Sequence, residues 1–352
     1  MTITAHTSHQ PAPAPATLDR ARELAEPLLR ETVARLEPWM TRIAAYHLGW
    51  ADADGNPGTF DSGKALRPAL ALLAAEAVGA SVDAALPGAV AVELVHNFSL
   101  VHDDVMDGDR HRRGRPTVWR EFGVTAAILV GDALQVLAFD LLLSRGGPAG
   151  PAAAARLAAA LRELVDGQAR DLRFATRPWT GPGAVTVAEY RAMAAGKTGA
   201  LLAAAGAAGA VLGGAAEPAT AALDAVGREL GLAFQCIDDV LGIWGDPAVT
   251  GKPVWGDLRE RKRSLPVVVA ASGSAAAARR LAELLAGGPE TPDTRLRAAA
   301  ELIEECGGRQ ACEREAAAAL ARAGAVLDAV PMVPAVRAQY AALADALLAR
   351  VS

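Results

Sequence analysis

Helical segments follow one another along almost the whole of this 352-residue chain, and no other pattern competes with them. Apolar residues recur at helix spacing over 18–45, 64–78, 87–106, 124–143, 151–174, 187–213 and 219–243. They do so again over 265–271, 275–285, 294–306, 309–327 and 334–351. Gly/Pro clusters such as 55–58, 146–151 and 287–292 separate the segments. No apolar/polar alternation of the strand kind is sustained, no repeat period is evident, and no long linker divides the chain. The pattern predicts one large all-α domain over 18–352, with central helices buried on most faces. An alanine-rich composition with only 4% aromatic residues agrees, since it favours helix over sheet.

Composition also removes several functions. Residues 1–17 hold several prolines and no long apolar run, so they are expected to form a disordered leader rather than a signal peptide. The stretch 199–216 alone resembles a membrane span, but it is mostly Ala and Gly; no transmembrane segment is expected. Lys and Arg number 35 against 40 Asp and Glu, a net charge of −5 that argues against a nucleic-acid partner. Cys236, Cys306 and Cys312 make neither a disulfide framework nor a CxxC zinc pattern, which suits a cytoplasmic protein.

The chemistry lies in two places. Residues 96–116 read HNFSLVHDDVMDGDRHRRGRP, with Asp103 and Asp107 four apart on one helix face and Asp104 beside them. Carboxylates gathered at the end of an apolar run repel one another unless cations neutralise them. Hard oxygen donors with no nearby Cys suit Mg²⁺, which carboxylates commonly share with substrate phosphates. Residues 234–246, FQCIDDVLGIWGD, close a second apolar run with Asp238 and Asp239. Two such helix ends facing one cavity would hold a metal cluster bridging to a polyphosphate. Basic residues follow each pair: Arg110, Arg112, Arg113 and Arg115, then Lys252, Arg259, Arg261, Lys262 and Arg263. Arg forks and Lys point charges are what phosphate oxygens need. No Gly-rich phosphate loop ending in Lys-Ser/Thr is present. Among the histidines, His102 reads as structural, His111 as solvated, and His47 as belonging to no constellation; Trp119, Trp244 and Trp255 read as packing residues.

With these motifs in this order, the chain resembles the trans-isoprenyl diphosphate synthases, the polyprenyl synthetase family of class I isoprenoid synthases, and most of all a bacterial geranylgeranyl diphosphate synthase. Asp103, Asp104 and Asp107 match the first aspartate-rich motif, and 112–116 the basic segment after it. Residues 62–68, SGKALRP, are similar to the family's GGKxxRP element. His96, Gln168 with Asp171, Lys197-Thr198, Gln235, Lys252 and Lys262 also fall on family positions. One departure is Gly242, which stands where many relatives carry the third aspartate of the second motif; another is Ser62 in place of a glycine.

The resemblance implies a bundle of the class I isoprenoid synthase type and a Mg²⁺-dependent, head-to-tail prenyl transfer. In that reading three Mg²⁺ ions on Asp103, Asp107 and Asp238, with Asp104 beside them, hold an allylic diphosphate. Arg112, Lys197, Lys252 and Lys262 supply further positive charge. Isopentenyl diphosphate sits on Lys64, Arg67, His96 and Arg113, and dipoles near Lys197, Thr198 and Gln235 steady the allylic cation. A homodimer is the usual family assembly. Phe98 and Ser99, one turn before the aspartates, are expected to set product length, with the ring flooring a tunnel for a twenty-carbon chain. Farnesyl or longer-chain synthesis, terpene cyclisation and a non-catalytic regulatory subunit are the alternatives.

Overall fold

The computed structural model describes residues 14–246 and 254–349. Its helices are α1 (Ala14–Val33), α2 (Pro38–His47), α3 (Leu66–Ala77), α4 (Val82–Asp107), α5 (Val118–Phe122), α6 (Val124–Arg145), α7 (Gly150–Phe174) and α8 (Val187–Ala194). A π-helical turn, Ala195–Gly199, leads into α9 (Ala200–Leu212) and α10 (Glu217–Trp244). Then come α11 (Gly256–Arg259), α12 (Leu265–Gly273), α13 (Ala275–Leu284), α14 (Asp293–Glu305), α15 (Gly308–Asp328) and α16 (Pro334–Leu348). The all-α expectation holds, apart from a hairpin of β1 (His111–Arg112) and β2 (Arg115–Pro116), paired His111 to Pro116.

Where the structure departs from the sequence pattern, the causes are local. The helix expected over 18–45 is broken because Glu37 caps a new start: its carboxylate accepts from Trp39 N and Met40 N, and Pro38 takes the first helical position. Residues 14–17 of the expected leader already belong to α1, with Ala14 and Thr17 buried, while 1–13 lie outside the described residues. Helix α4 starts ahead of Pro87, at a Ser81 cap whose hydroxyl accepts from Asp83 N, and Gly108 ends it at φ 71°.

Helix α9 is buried on almost every face and lies among α3, α4, α7 and α10. Its Ala and Gly residues let the neighbouring backbones close in, which explains its membrane-like composition. Among the described residues three helical stretches are long and apolar enough to cross a bilayer by length and composition, Val82–Asp107, Val124–Arg145 and Val187–Leu212, where the sequence pattern singled out 199–216 alone as resembling a span. A second, smaller core of Ile243, Leu258, Val267, Leu281, Leu296 and Ile303 fixes α11–α14 against the end of α10. That end and the end of α4 carry the two aspartate motifs.

Candidate active site

On the last turn of α4, consecutive aspartates point in different directions, as a helix requires. Asp104 is buried and takes Arg112 Nε at 2.8 Å and Nη2 at 2.6 Å on a single oxygen; its other oxygen is sealed off without a partner. Asp103, half-buried, and Asp107, exposed, share the remaining face. The same division recurs on α10. Asp239 is buried and accepts from Tyr190 Oη at 2.6 Å, Leu265 N at 2.7 Å and Gln235 Nε2 at 2.9 Å. Gln235 Oε1 in turn accepts from Thr198 Oγ1 at 2.6 Å. Asp238 is left half-buried beside this chain of bonds. Thr198 and Gln235 are thus brought together as expected, whereas Tyr190 on α8 belongs to no motif. The one hint to it is that a buried tyrosine hydroxyl needs a partner.

The carboxylates are held under electrostatic tension. Burial pushes Asp103 up to about 6, Asp107 adds to the shift, and Lys197 opposes it. Asp107 is likewise raised by burial, against Lys262 and Lys197. Burial carries Asp239 to about 7, with Asp257 adding to it. Lys197, on the π turn, bonds Asp171 Oδ2 at 2.5 Å. Burial works against its ammonium, but Asp171, Asp103 and Asp107 outweigh it, so it is held charged. Lys262 is paired with Glu260 at 2.7 Å and is kept charged in the same way by Asp257, Glu260 and Asp107. The two lysines therefore flank the aspartate face without neutralising it.

This donor set fits Mg²⁺. Its ligands are hard oxygens, and the raised Asp103 and Asp107 signal unmet demand for a cation. Among the described residues no three carboxylates, histidines or cysteines converge tightly enough to hold an ion alone. Mg²⁺ commonly takes one or two carboxylates and completes its shell with waters and substrate phosphates, so a divided set suits ions that arrive with a diphosphate.

A second basic cluster lies behind the first. Arg113 stands at φ 51° and lays its guanidinium on the bare face of Gly63, itself at φ 92°. A Cβ at 63 would lie 2.6 Å from Arg113 Nη2, so this glycine joins the Lys64 loop to the hairpin. Burial lowers Arg67 to about 10, with Glu93 and Asp238 opposing and Arg113 adding. Burial, then Arg67, Arg113 and Arg112, push His96 well below the usual histidine range, so its imidazole is neutral. His47, expected to be unconnected, is held down to about 3 by burial and by Arg113 and Arg112. Arg67 Nε, Arg113 Nη1 and His47 Nε2 are buried without partners. Positive charge and orphaned donors in one place call for an anion. Glu93, which forms a single Glu-x-x-His pair with His96 and to which the sequence assigned no role, is raised by burial, faces Arg67 and Arg113, and is bonded by Asn97 Nδ2 at 3.1 Å.

Other expected residues are placed as follows. Lys252 lies outside the described residues. Gln168 is buried on α7 with both amide atoms unpartnered. Phe98 is buried with its ring 4.8 Å from that of His102, edge to face, and His102 Nε2 lies 3.1 Å from Ile128 O of α6, a structural role as expected. Ser99 Oγ donates to His96 O at 2.8 Å. Arg115 is sandwiched between Tyr46 and Phe60, 4.0 and 3.9 Å from their ring centres, and holds the hairpin rather than substrate. Trp119 Nε1 donates to Asp109 O, and Trp244 and Trp255 lie under Arg309 and Arg297, all packing roles. A cavity of about 390 Å³ walled by Trp179, Val267 and Ala271 takes in Arg263 of the second basic run but none of the residues assigned to metal or substrate. Among the described residues, the non-glycine positions with positive φ are Ala65, Arg113, Trp255 and Arg261, every one in a segment bearing site residues.

Comparison with known proteins agrees with this geometry. The chain is 50% identical over 302 residues to a (2E,6E)-farnesyl diphosphate synthase of Mycobacterium tuberculosis, covering 85% of this chain and 83% of that one. It is 44% identical over 300 residues to a geranylgeranyl diphosphate synthase of the same organism, covering 85% and 84%. The crystal structure of a polyprenyl synthetase from Streptomyces coelicolor A3(2) superposes with a TM-score of 0.88 at 51% identity, covering 94% of this chain and 98% of that one. Residues 58–303, which carry both aspartate motifs and both basic clusters, match the polyprenyl synthetase family, and the chain belongs to it.

Proposed function

We propose that this prenyl diphosphate synthase condenses isopentenyl diphosphate with allylic diphosphates, head to tail and with Mg²⁺, and stops at geranylgeranyl diphosphate. The observation that carries the two-substrate reading is the pair of separate anion sites. One is the aspartate face flanked by Lys197 and Lys262; the other is the cluster of Arg67, Arg113 and neutral His96 beside the Lys64 loop. A terpene cyclase, which ionises one diphosphate, has no use for the second.

In this reading Asp103, Asp107 and Asp238 would hold Mg²⁺, which when bound would supply Lewis-acid stabilisation to a departing pyrophosphate. Asp104 holds Arg112 toward the same diphosphate. Thr198 and Gln235 turn oxygen dipoles toward the allylic carbon as its bond to oxygen breaks. Lys64, Arg67, His96 and Arg113 fix isopentenyl diphosphate so that its double bond faces that carbon. The new carbon–carbon bond forms, and a proton then leaves to the released pyrophosphate.

Phe98 supports the twenty-carbon product. Its ring lies five residues before Asp103, about 7.5 Å back along the helix at ~1.5 Å per residue, and His102 packs against it. The farnesyl diphosphate synthase at 50% identity favours a fifteen-carbon product as the second reading. Incubation with isopentenyl diphosphate and each allylic primer, followed by chain-length analysis, separates the two. Geranylgeranyl diphosphate as the main product is expected, and a main product of any other length overturns the assignment.

A second copy of this chain is the proposed partner. Val124, Ile128, Leu129, Val136 and Leu143 are exposed on α6, three of them at seven-residue spacing, an apolar seam that suits a helix of a second copy. The three free thiols support a cytoplasmic location.

A further inference from the structure

The cavity behind the 178–186 loop lies apart from the residues assigned to metal and substrate. Its volume, about 390 Å³, falls within the ~300–1,000 Å³ of ordinary small-molecule pockets. The loop forms one wall, and α12 with α13 the other, through Val267, Val268, Ala271 and Ala278. Arg177 holds the loop in shape: its Nε donates to Gly183 O at 2.7 Å and its Nη2 to Ala184 O at 2.8 Å. The wall is therefore built in, with its carbonyls already taken.

Two donors in this lining are buried without partners. Arg263 is only 5% exposed. Its guanidinium lies 3.3 Å from the Trp179 ring centre, and its Nη2 donates to Arg177 O at 3.0 Å. Its Nη1 has no partner, and neither has Nε1 of Trp179. Burial lowers Arg263 to about 10, and the like charge of Arg261 adds to the shift. Among the described residues no carboxylate opposes it. Glu189, the acid at the start of the helix after the loop, is taken up by Arg177 and Thr186. A buried cation without a counter-charge, beside a second orphaned donor, is costly unless an anion completes it.

We propose that this cavity binds a small amphipathic anion, whose carboxylate or phosphate head accepts from Arg263 Nη1 and Trp179 Nε1 while its apolar body lies along α12. One uncompensated cation matches a head of low charge, and a diphosphate would find too little positive charge here. The site is joined by the chain to the aspartate face, since Lys262 precedes Arg263 and Leu265 N donates to Asp239 at 2.7 Å.

The test is calorimetric titration of the full chain with octanoate, octyl phosphate and their neutral counterpart octanol. Inorganic pyrophosphate and Mg²⁺ are present throughout to occupy the aspartate face. At least one anion is expected to bind about tenfold or more tightly than octanol, and the tighter of the two identifies the head. Arg263→Met removes the charge and keeps the length, and is expected to weaken that anion about ten- to a hundredfold, as the loss of a charge-assisted hydrogen bond does. Ala271→Leu narrows the cavity without altering a charge and is expected to weaken it as well, with folding of each variant followed by near-ultraviolet circular dichroism. In the unaltered protein the anion should change the tryptophan fluorescence, and Trp179→Phe should lose most of that change. Failure of both anions to bind, or binding no tighter than that of octanol, overturns the proposal. So does undiminished binding in folded Arg263→Met or in folded Ala271→Leu.

Discussion

Gly167 gives the sharpest test of how the site is held. It sits on the buried face of α7, where a Cβ would lie 2.2 Å from Lys197 N, 2.8 Å from Gly196 C and 2.9 Å from Lys197 Cα. All three are backbone atoms, so no side chain can swing aside in Gly167→Ala. Reaching ordinary contact at 3.4 Å requires the π turn and α7 to separate by 3.4 − 2.2, about 1.2 Å. Helix α7 carries Gln168 and Asp171, while the π turn carries Lys197 and Thr198. The separation would break the 2.5 Å bond between Lys197 and Asp171 and draw the ammonium off the Asp103–Asp107 face. Overpacking costs ~1–3 kcal/mol, and the helix propensity gained on replacing glycine by alanine offsets ~1 kcal/mol, leaving ~0–2 kcal/mol of destabilisation. A displacement of ~1 Å at a reacting centre costs ~10²-fold in rate. Steady-state turnover with saturating substrates should therefore fall about a hundredfold while the melting temperature drops by only a few degrees. Ala169→Gly on the exposed side of α7 is the control, losing stability by propensity while keeping turnover. Gly167→Ala with turnover within threefold of the unaltered protein would refute the reasoning.

Further outcomes follow from the two anion sites. Activity should vanish with EDTA and return with Mg²⁺, and Asp103→Ala should lower turnover by ~10²–10³ while still folding; near-normal turnover in that variant removes the metal role of Asp103. Because Asp103 titrates near about 6 in the metal-free protein and must lose its proton to bind a cation, the half-saturating Mg²⁺ concentration should rise as pH falls through that value and level off above it. A flat profile between pH 5 and 7 contradicts this. Arg67→Ala should weaken isopentenyl diphosphate by one to two decades, ~1.5–3 kcal/mol, and Arg112→Ala the allylic partner; isotherms with the opposite pattern reverse the assignment of the sites. Phe98→Ala should lengthen the product, and an unchanged product distribution shows that its ring is not the floor.

Residues whose chemistry repeats at helix spacing were the legible part of this chain. The two runs ending in Asp-Asp, Arg112 and Lys262 from the basic segments after them, and the Lys197-Thr198 pair lie together, because an apolar helix that must be buried can present polar groups only at its end. Tyr190, Glu93, His47 and Asp257 could not be found in this way. Each is a single polar residue in an unremarkable local context, and its role depends on which helix is packed against it. The π turn was hidden for a related reason. Ala195–Gly199 lies inside one uninterrupted helical run from α8 to α9, and the local winding is visible only in the structure. The start of α2 was readable in principle, since Glu37-Pro38 is a capping sequence, but the apolar period runs through it and masks the break.

The two aspartate motifs share a physical logic that explains why each needs a pair rather than a single acid. Adjacent residues on a helix project about 100° apart, at 3.6 residues per turn, so when one carboxylate faces the ligand the next faces a neighbouring element. On α4 that second carboxylate, Asp104, holds Arg112; on α10 it is Asp239, held by Tyr190, Gln235 and the backbone of Leu265. The inner acid fixes the rotation of the helix end, and the outer one is thereby aimed. Both pairs also stand toward the C-terminal ends of their helices, where the negative end of the helix dipole disfavours added negative charge. Apolar packing along α4 and α10 is what keeps these acids in place, and a cation bound there would relieve their mutual repulsion. The same packing, through Ile243 and Leu258, sets Asp257 against Gly242, so the positions of the charges follow from the cores beneath them.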